Sequence, residues 1–339
     1  MVNKQNQMAK TKPLLSPLRY PGSKRGLVGY IKETLEINSL KPSLYIEPFL
    51  GGGSVAINLL KENLIQCAIL VDCDPWITSF WHTVFFDTKW LIEQIQTVEV
   101  SIEKWNSFKN ANPTNIRDQA LTCFFLNRTS FSGILEKRAG PLGGKDQKSE
   151  YPIDCRFTST TRNTIIERIE QISKFQNQIY GVWNCSWNEA LKKIRTEQIE
   201  GKLPTSNLFF YLDPPFFEEA DALYRFYFLE QDHKDLRDCL LTLEDKWLLS
   251  YDSAEQVEAL YGDALKRSTN GTRHHDIELL YTIAKVSKRK KGKEVIISNL
   301  EQLPIPPPIN SKIPEIPIPT ESCGILQDFT LREQILAAQ

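Results

Sequence analysis

Five apolar residues in a row, Leu208-Phe209-Phe210-Tyr211-Leu212, are followed at once by Asp213-Pro214-Pro215-Phe216. An unbroken run of this length predicts a strand buried on both faces. Pro214 and Pro215 lack an N–H and fix φ, so the strand must stop there. Shorter apolar runs at Leu44–Ile46, Ala68–Val71, Ile179–Trp183 and Trp247–Ser250 predict its companion strands. Between the first two of these, Glu47-Pro48-Phe49-Leu50-Gly51-Gly52-Gly53-Ser54 turns into a helical pattern from Val55 to about Lys61. Another amphipathic pattern covers Leu27 to Leu35, and Pro75 opens a helix directly after Asp72-Cys73-Asp74. Strand, glycine turn, helix, strand and acid in that order make a βαβ unit, and the expectation is an α/β, doubly wound sheet.

Residues 80–180 break this rhythm with Trp-rich and aromatic helical stretches and a basic, glycine-bearing loop, Glu136–Lys145. They read as an inserted helical subdomain. Later, Glu278–Ala284 and Glu294–Ile297 flank Lys288-Arg289-Lys290-Lys291-Gly292-Lys293, which predicts a hairpin with an exposed basic turn. Arg273, His274 and His275 fall in a loop ahead of it. From Leu303 to Pro319 there are seven prolines, the composition of an extended, polyproline-like tail. The expected organisation is a catalytic domain from 14–79 and 180–300, a helical insert at 80–179, and a proline-rich tail at 301–339.

Composition narrows the classes. At 339 residues the chain can bury a sizeable core as one large or two small domains. A formal net charge of −1 excludes a general polycation, so nucleic-acid contacts must come from local basic patches. Seven scattered cysteines form no C-x-x-C pair, which favours reduced thiols over a disulfide framework. No His/Cys spacing suggests a metal site, and no apolar run reaches membrane-spanning length. The expectation is a soluble, cytoplasmic protein with neither metal nor membrane.

The candidate chemistry sits at the strand ends. Asp213 lies just past the carboxyl end of a buried strand, where open α/β sheets bind ligands. An Asp-Pro-Pro turn is equally a plain strand terminator. Phe216 follows on a stiff support with a ring free to stack. The glycine turn either lets a ligand approach the backbone or serves helix packing. It lacks the Gly-Lys-Ser/Thr ending of a P-loop. With Asp72 about 20 residues on, it has the spacing of a nucleoside site, the sugar belonging to NAD or to S-adenosylmethionine.

Taken together, the motifs resemble the Dam-like family of DNA adenine-N6 methyltransferases over roughly residues 14–300. Pro17-Leu18-Arg19-Tyr20-Pro21-Gly22-Ser23-Lys24 is similar to the family's N-terminal cofactor motif, and Tyr45–Gly53 to its glycine motif. Asn127-Arg128-Thr129-Ser130-Phe131-Ser132-Gly133 resembles the signature of its target-recognition insert, and Asp213-Pro214-Pro215-Phe216 its catalytic motif. The resemblance implies a Rossmann-like methyltransferase sheet, S-adenosylmethionine as cofactor and double-stranded DNA as substrate. Asp213 and the Pro214 carbonyl would accept the amino group of a flipped-out adenine, stacked on Phe216. Tyr20, Lys24, Glu47, Pro48, Phe49, Gly51, Gly53, Asp72 and Asp213 would form the cofactor site, Lys24 at its carboxylate end and Asp72 on the ribose.

For DNA, Lys137 and Arg138 in the insert loop are placed to track phosphates, and Arg273 to face the duplex. Asn127 and Arg128 either read base edges or hold the insert's own backbone. Tyr224–Tyr227 either close over the flipped base or pack as a helix. The sequence departs from the family in Phe216 for its usual Tyr, in Ser23 for Gly, and in Asn184-Cys185-Ser186-Trp187, which lacks an acid for the cofactor adenine. The implied setting is restriction–modification or phage defence, with other subunits of such a system as further partners. Cytosine-N4 methylation would favour Ser at position 213, and glutamine-directed protein methylation Asn. The alternative outside enzymes is a non-catalytic or partner-dependent DNA-binding subunit that keeps the fold.

Overall fold

The structure is a computed structural model that describes residues 13–218, 220–252, 255–267, 273–280 and 291–305. Seven strands, β1 (Leu44–Glu47), β2 (Ala68–Asp72), β3 (Ile179–Asn184), β4 (Leu208–Leu212), β5 (Lys246–Asp252), β6 (Arg273–Leu280) and β7 (Lys291–Ser298), form one sheet. Their order is β3-β2-β1-β4-β5-β7-β6. The first five strands of that order are parallel; β7 runs antiparallel between β5 and β6. The chain changes direction across the sheet between β1 and β4, and such a switch point is where doubly wound sheets open a crevice.

Strand periodicity divides the core between the two faces. Tyr45, Phe209, Tyr211, Leu248 and Ile296 point to one side, while Leu44, Ile46, Phe210, Leu212, Trp247, Leu249 and Ile297 point to the other. Helices α1 (Val28–Ile37), α2 (Ser54–Lys61) and α3 (Pro75–Phe86) cover the first face. Beyond them lie α4 (Thr88–Thr97), α5 (Ile102–Asn110), α6 (Ile116–Thr129) and α7 (Ser159–Ser173). After β3 comes α8 (Trp187–Ile199); after β4, a short α9 (Ala220–Leu223) and α10 (Glu230–Thr242); and after β5, α11 (Glu255–Arg267). Residues of α8, α10 and α11 cover the second face.

The helical region does not build a core of its own. Phe80, Trp81 and Phe85 of α3 join the sheet residues Tyr45 and Phe209 to Phe124, Phe125, Ile165 and Ile169 of α6 and α7 in one apolar cluster. Since α3 runs from Pro75 to Phe86, it crosses the expected boundary at 79/80 without a break.

The hairpin differs from expectation at its start. β6 begins at Arg273, so Arg273, His274 and His275 lie in a strand and not in a loop. Their backbones pair with Ser298, Ile297 and Ile296 of β7. A strand at the sheet edge, paired on one side only, tolerates the polar run that read as a loop. The basic turn at 281–290 and the tail from 306 lie outside the described residues. Among those described, no helix is long and apolar enough to cross a membrane.

Phe209 is fully buried in the central strand, against Tyr45 at 6.2 Å between ring centroids. Phe209→Ala should cost about 3–5 kcal/mol through lost burial and the cavity left behind, read as a lower urea midpoint.

Candidate active site

β4 delivers Asp213 to the crevice between its own carboxyl end and that of β1, and the two prolines hold the chain extended there. Its carboxylate is gripped at one oxygen. The Lys24 ammonium sits 2.7 Å from Asp213 Oδ1, and the Ser250 hydroxyl at the end of β5 donates to the same atom at 3.0 Å. The Tyr211 hydroxyl lies 2.9 Å from Ser250 Oγ and, with that proton committed to Asp213, donates to Ser250. Among the described residues Oδ2 carries no hydrogen bond, so it is the oxygen left for a ligand.

Lys24 is itself buried. It lies in the short 3₁₀ turn Lys24–Leu27, donates to the Gly22 carbonyl at 3.3 Å, and faces Glu294 of β7 at 3.6 Å. Burial opposes its charge, but Asp213 and Glu294 outweigh that and hold the ammonium above the ordinary lysine range. Burial pushes the Asp213 carboxyl up, against the opposing pull of Lys24 and Ser250. The resemblance placed Lys24 at the cofactor's carboxylate end; here its ammonium is held by two carboxylates of the protein. Ser250 and Glu294 were not singled out from sequence. Ser250 ends an apolar strand, a weak signal, while Glu294 reads only as the first residue of the hairpin's second strand.

The glycine turn shows why a Cβ is excluded at two positions. Gly51 has φ +42°, and a Cβ there would stand 2.5 Å from the Tyr20 ring; Gly53 has φ +60°, and its Cβ would stand 2.6 Å from the Trp81 ring. The space is thus filled by protein aromatics, which is the packing alternative. The turn is stitched to β2: the Gly51 N–H donates to Asp72 Oδ2 at 2.9 Å, and Trp81 Nε1 donates to the Gly51 carbonyl at 2.9 Å. The second Asp72 oxygen accepts from the Asp74 N–H at 2.9 Å.

A cleft opens over this framework, lined by Tyr20, Lys24, Glu47, Phe49, Gly51, Gly53, Asp72, Asp213, Pro215, Tyr224 and Phe226 among others. It therefore gathers most of the cofactor-site residues expected from sequence. Phe216 stands beside it, edge-on to Tyr224 at 6.0 Å, with the Lys24 ammonium 5.0 Å from its ring centre. Tyr224 in turn stacks on Tyr20 at 5.8 Å. The segment after the catalytic motif is latched in place by Arg225, whose guanidinium meets Asp74 at 2.5 Å and lies over the Trp76 ring at 3.5 Å. Tyr224 and Phe226 line the cleft, and neither belongs to a helix. Trp187 packs partly buried against the second core face.

The insert residues fare differently. The Asn127 side chain is fully buried and spent on backbone, accepting from Arg19 N at 2.7 Å and donating to the carbonyls of Arg19 and Gly133 at 2.9 and 2.8 Å. Of its two readings, holding the backbone is the one the geometry carries. Arg128, in the last turn of α6, is 6 % exposed. Lys137 is exposed. Arg138, also exposed, pairs with Glu136 and with Asp221 of α9, tying the insert loop to the segment after the catalytic motif.

The cleft is lined by three carboxyl side chains, Glu47, Asp72 and Asp213, and one ammonium, Lys24, which pairs with Asp213. Burial, aided by Asp213, pushes Glu47 up to about 8 despite hydrogen bonds from Tyr45 Oη and the Ala56 N–H. Burial, with Asp74 nearby, pushes Asp72 up to about 7. A desolvated cleft with this excess of acid suits a cationic ligand. From about pH 5 to 8 the folded protein keeps a Glu47 proton that the unfolded chain has released, so stability falls as pH rises. Glu47→Gln should flatten the decline of melting temperature across that window; an unchanged slope would count against the raised pKa.

Known proteins match this arrangement. A sequence model of the D12 class N6 adenine-specific DNA methyltransferases matches residues 20–283, which include the cleft-lining loop and the Asp213 motif. The "Type II methyltransferase M.MjaIII" of Methanocaldococcus jannaschii is 27 % identical over 133 residues, covering 34 % of this chain and 46 % of that protein. The chain thus spans about half the length of that curated relative. With the family match running over most of its length and through its candidate site, this chain belongs to the D12 class N6 adenine-specific DNA methyltransferases.

Proposed function

We propose that this protein methylates the N6 amine of an adenine flipped out of double-stranded DNA, using S-adenosylmethionine, within a restriction–modification or phage-defence system. The observation that carries this reading is the Asp213 carboxylate, which lines the cleft and is gripped at Oδ1 by Lys24 and Ser250, with no hydrogen bond to Oδ2 among the described residues. A purely DNA-binding subunit has no use for a buried acid held in that way, which argues against the non-catalytic alternative.

The residues lining the cleft support S-adenosylmethionine as the cofactor. S-adenosylmethionine, when bound, supplies an electrophilic methyl group on a cationic sulfonium. Glu47 and Asp72 would offset its positive charge, with Asp72 at the ribose, and the Tyr20 and Phe49 rings would bound its apolar parts.

The rest is done by the chain. An adenine amine is conjugated with its ring and is a poor nucleophile. Asp213 Oδ2 accepts one N–H and the Pro214 carbonyl the other, drawing the nitrogen toward a geometry with a free lone pair. Both acceptors are fixed before substrate arrives, so orientation and electrostatics lower the barrier. As the nitrogen gains its new carbon bond it must release one proton, and the raised basicity of Asp213 suits that carboxylate to take it. Phe216 stacks on the displaced base, worth about 1–3 kcal/mol against the cost of leaving the duplex.

Expression in a methylation-free bacterial host, followed by single-molecule sequencing, should reveal N6-methyladenine at one short motif. Asp213→Ala should abolish the signal while the purified variant still binds S-adenosylmethionine; full methylation by that variant would sink the mechanism. Lys24→Ala removes the cation that favours ionised Asp213, so the acid limb of kcat/KM should move to higher pH. A raised KM for S-adenosylmethionine with an unmoved pH profile would instead return Lys24 to the cofactor's carboxylate.

A further inference from the structure

Four arginines converge where the loop ahead of Tyr20 crosses the helical region, and their surroundings differ from those of every other buried cation described above. The Asn127 clamp on the Arg19 backbone brings Arg19 beside Arg128, the next residue of α6. Arg168 of α7 reaches the same loop, its Nη1 3.5 Å from the Ser16 carbonyl. Arg156, in the loop ahead of α7, is close enough to repel both Arg19 and Arg128.

Three of them, Arg19, Arg128 and Arg168, have no compensating carboxylate among the described residues. Among the described residues no acid lies within ion-pair distance of Arg19, Arg128 or Arg168, and Arg128 Nε and Arg19 Nη1 are buried without a hydrogen-bond partner. Burial and the neighbouring guanidiniums hold Arg128 well below the ordinary arginine range, and burial with Arg156 lowers Arg19 to about 10. Lys24, by contrast, is buried between two carboxylates. A buried guanidinium fork without an anion is unfavourable, so a bound anion at this place would be stabilising. Arg19, Arg156 and Arg168 are only half-buried, which gives an anion access from the surface.

We propose that Arg19, Arg128 and Arg168, flanked by Arg156, form a preorganised subsite for a backbone phosphate of the DNA. This inference rests on the reading of the protein as a DNA methyltransferase and goes beyond it, assigning Arg128 to the phosphate backbone in place of a base edge. Arginine forks match phosphate oxygens bidentately. Phosphate contacts fix register without reading sequence. Register is what this position controls: Arg19 adjoins Tyr20, which lines the catalytic cleft, and five residues on lies Lys24 on Asp213. A phosphate seated here would set where along the strand a nucleotide meets the cleft.

The test uses the full-length protein with Arg128→Gln and, separately, the less buried Arg168→Gln. Duplex affinity is measured from 50 to 300 mM salt, and melting temperature in phosphate against chloride at equal ionic strength. Each variant should bind duplex about tenfold more weakly at 0.1 M salt and lose roughly one unit from the slope of log K against log salt. Phosphate should stabilise the parent protein and not the variants, which in chloride should melt no lower than the parent. Variants that melt lower and keep the parent's salt slope would overturn the subsite in favour of a structural role. If Arg128→Gln fails to fold, Arg168→Gln with an unchanged slope alone overturns it. A parent that methylates DNA while the variants match its slope removes the subsite and leaves the function standing. A parent that neither binds nor methylates duplex, yet is stabilised by phosphate through these arginines, removes the function and with it DNA as the source of the anion.

Discussion

The buried contact between Lys24 and Asp213 is the constraint on which the site depends. It joins a loop near the start of the chain to the end of the central strand, and Glu294 brings the antiparallel β7 to the same ammonium. A cation in this position has to be matched by acids, because desolvation would otherwise expel its charge. Matching it twice ties three distant segments together and leaves one oxygen of Asp213 turned outward. The ladder from Tyr211 through Ser250 to Asp213 completes the support from within the sheet. The Asp213 carboxylate is thereby held by the protein's own groups, the kind of preorganisation that electrostatic catalysis requires.

Around that pair the protein carries two charge imbalances of opposite sign. The cleft holds three carboxyl groups to one ammonium, and burial, aided by a neighbouring acid in each case, raises Glu47 and Asp72. The arginine cluster at Arg19 and Arg128 expresses a shortage of negative charge. An imbalance of this kind costs stability in the free protein and is recovered on binding a ligand of the missing sign. Under the proposed function, a sulfonium and a phosphodiester would be that complementary pair. One loop, Arg19 to Lys24, runs between the two places, so the two ligands would be coupled through a short, rigid piece of backbone.

The helical region is fused to this machinery in ways that a separately folding insert would not require. Its aromatic residues complete the core on one face of the sheet. Asn127 grips the cofactor-side loop, Arg138 pairs with Asp221 beyond the catalytic motif, and Phe216 packs with Ile134 and Ala139. A shift in the insert on meeting DNA is therefore mechanically connected to the aromatic ring on which the base would stack.

Residue order alone carried the strands, the Asp-Pro-Pro stop and the acid after the second strand, because these rest on short-range rules of burial period and backbone chemistry. The four motifs in sequence placed the family and brought together Tyr20, Lys24, Asp72 and Asp213, which the fold indeed gathers around one cleft. What the sequence withheld was long-range. That β6 starts at Arg273 depends on its pairing with β7, which overrides a local polar pattern. Glu294 and Ser250 look like ordinary strand-end residues until the sheet order places both against the Lys24–Asp213 pair. Asn127 and Arg128 are adjacent and chemically suited to read bases, yet one is spent on backbone and the other is buried among like charges. Side-chain type limits what a residue can do; only the packing of distant segments decides which partner it meets.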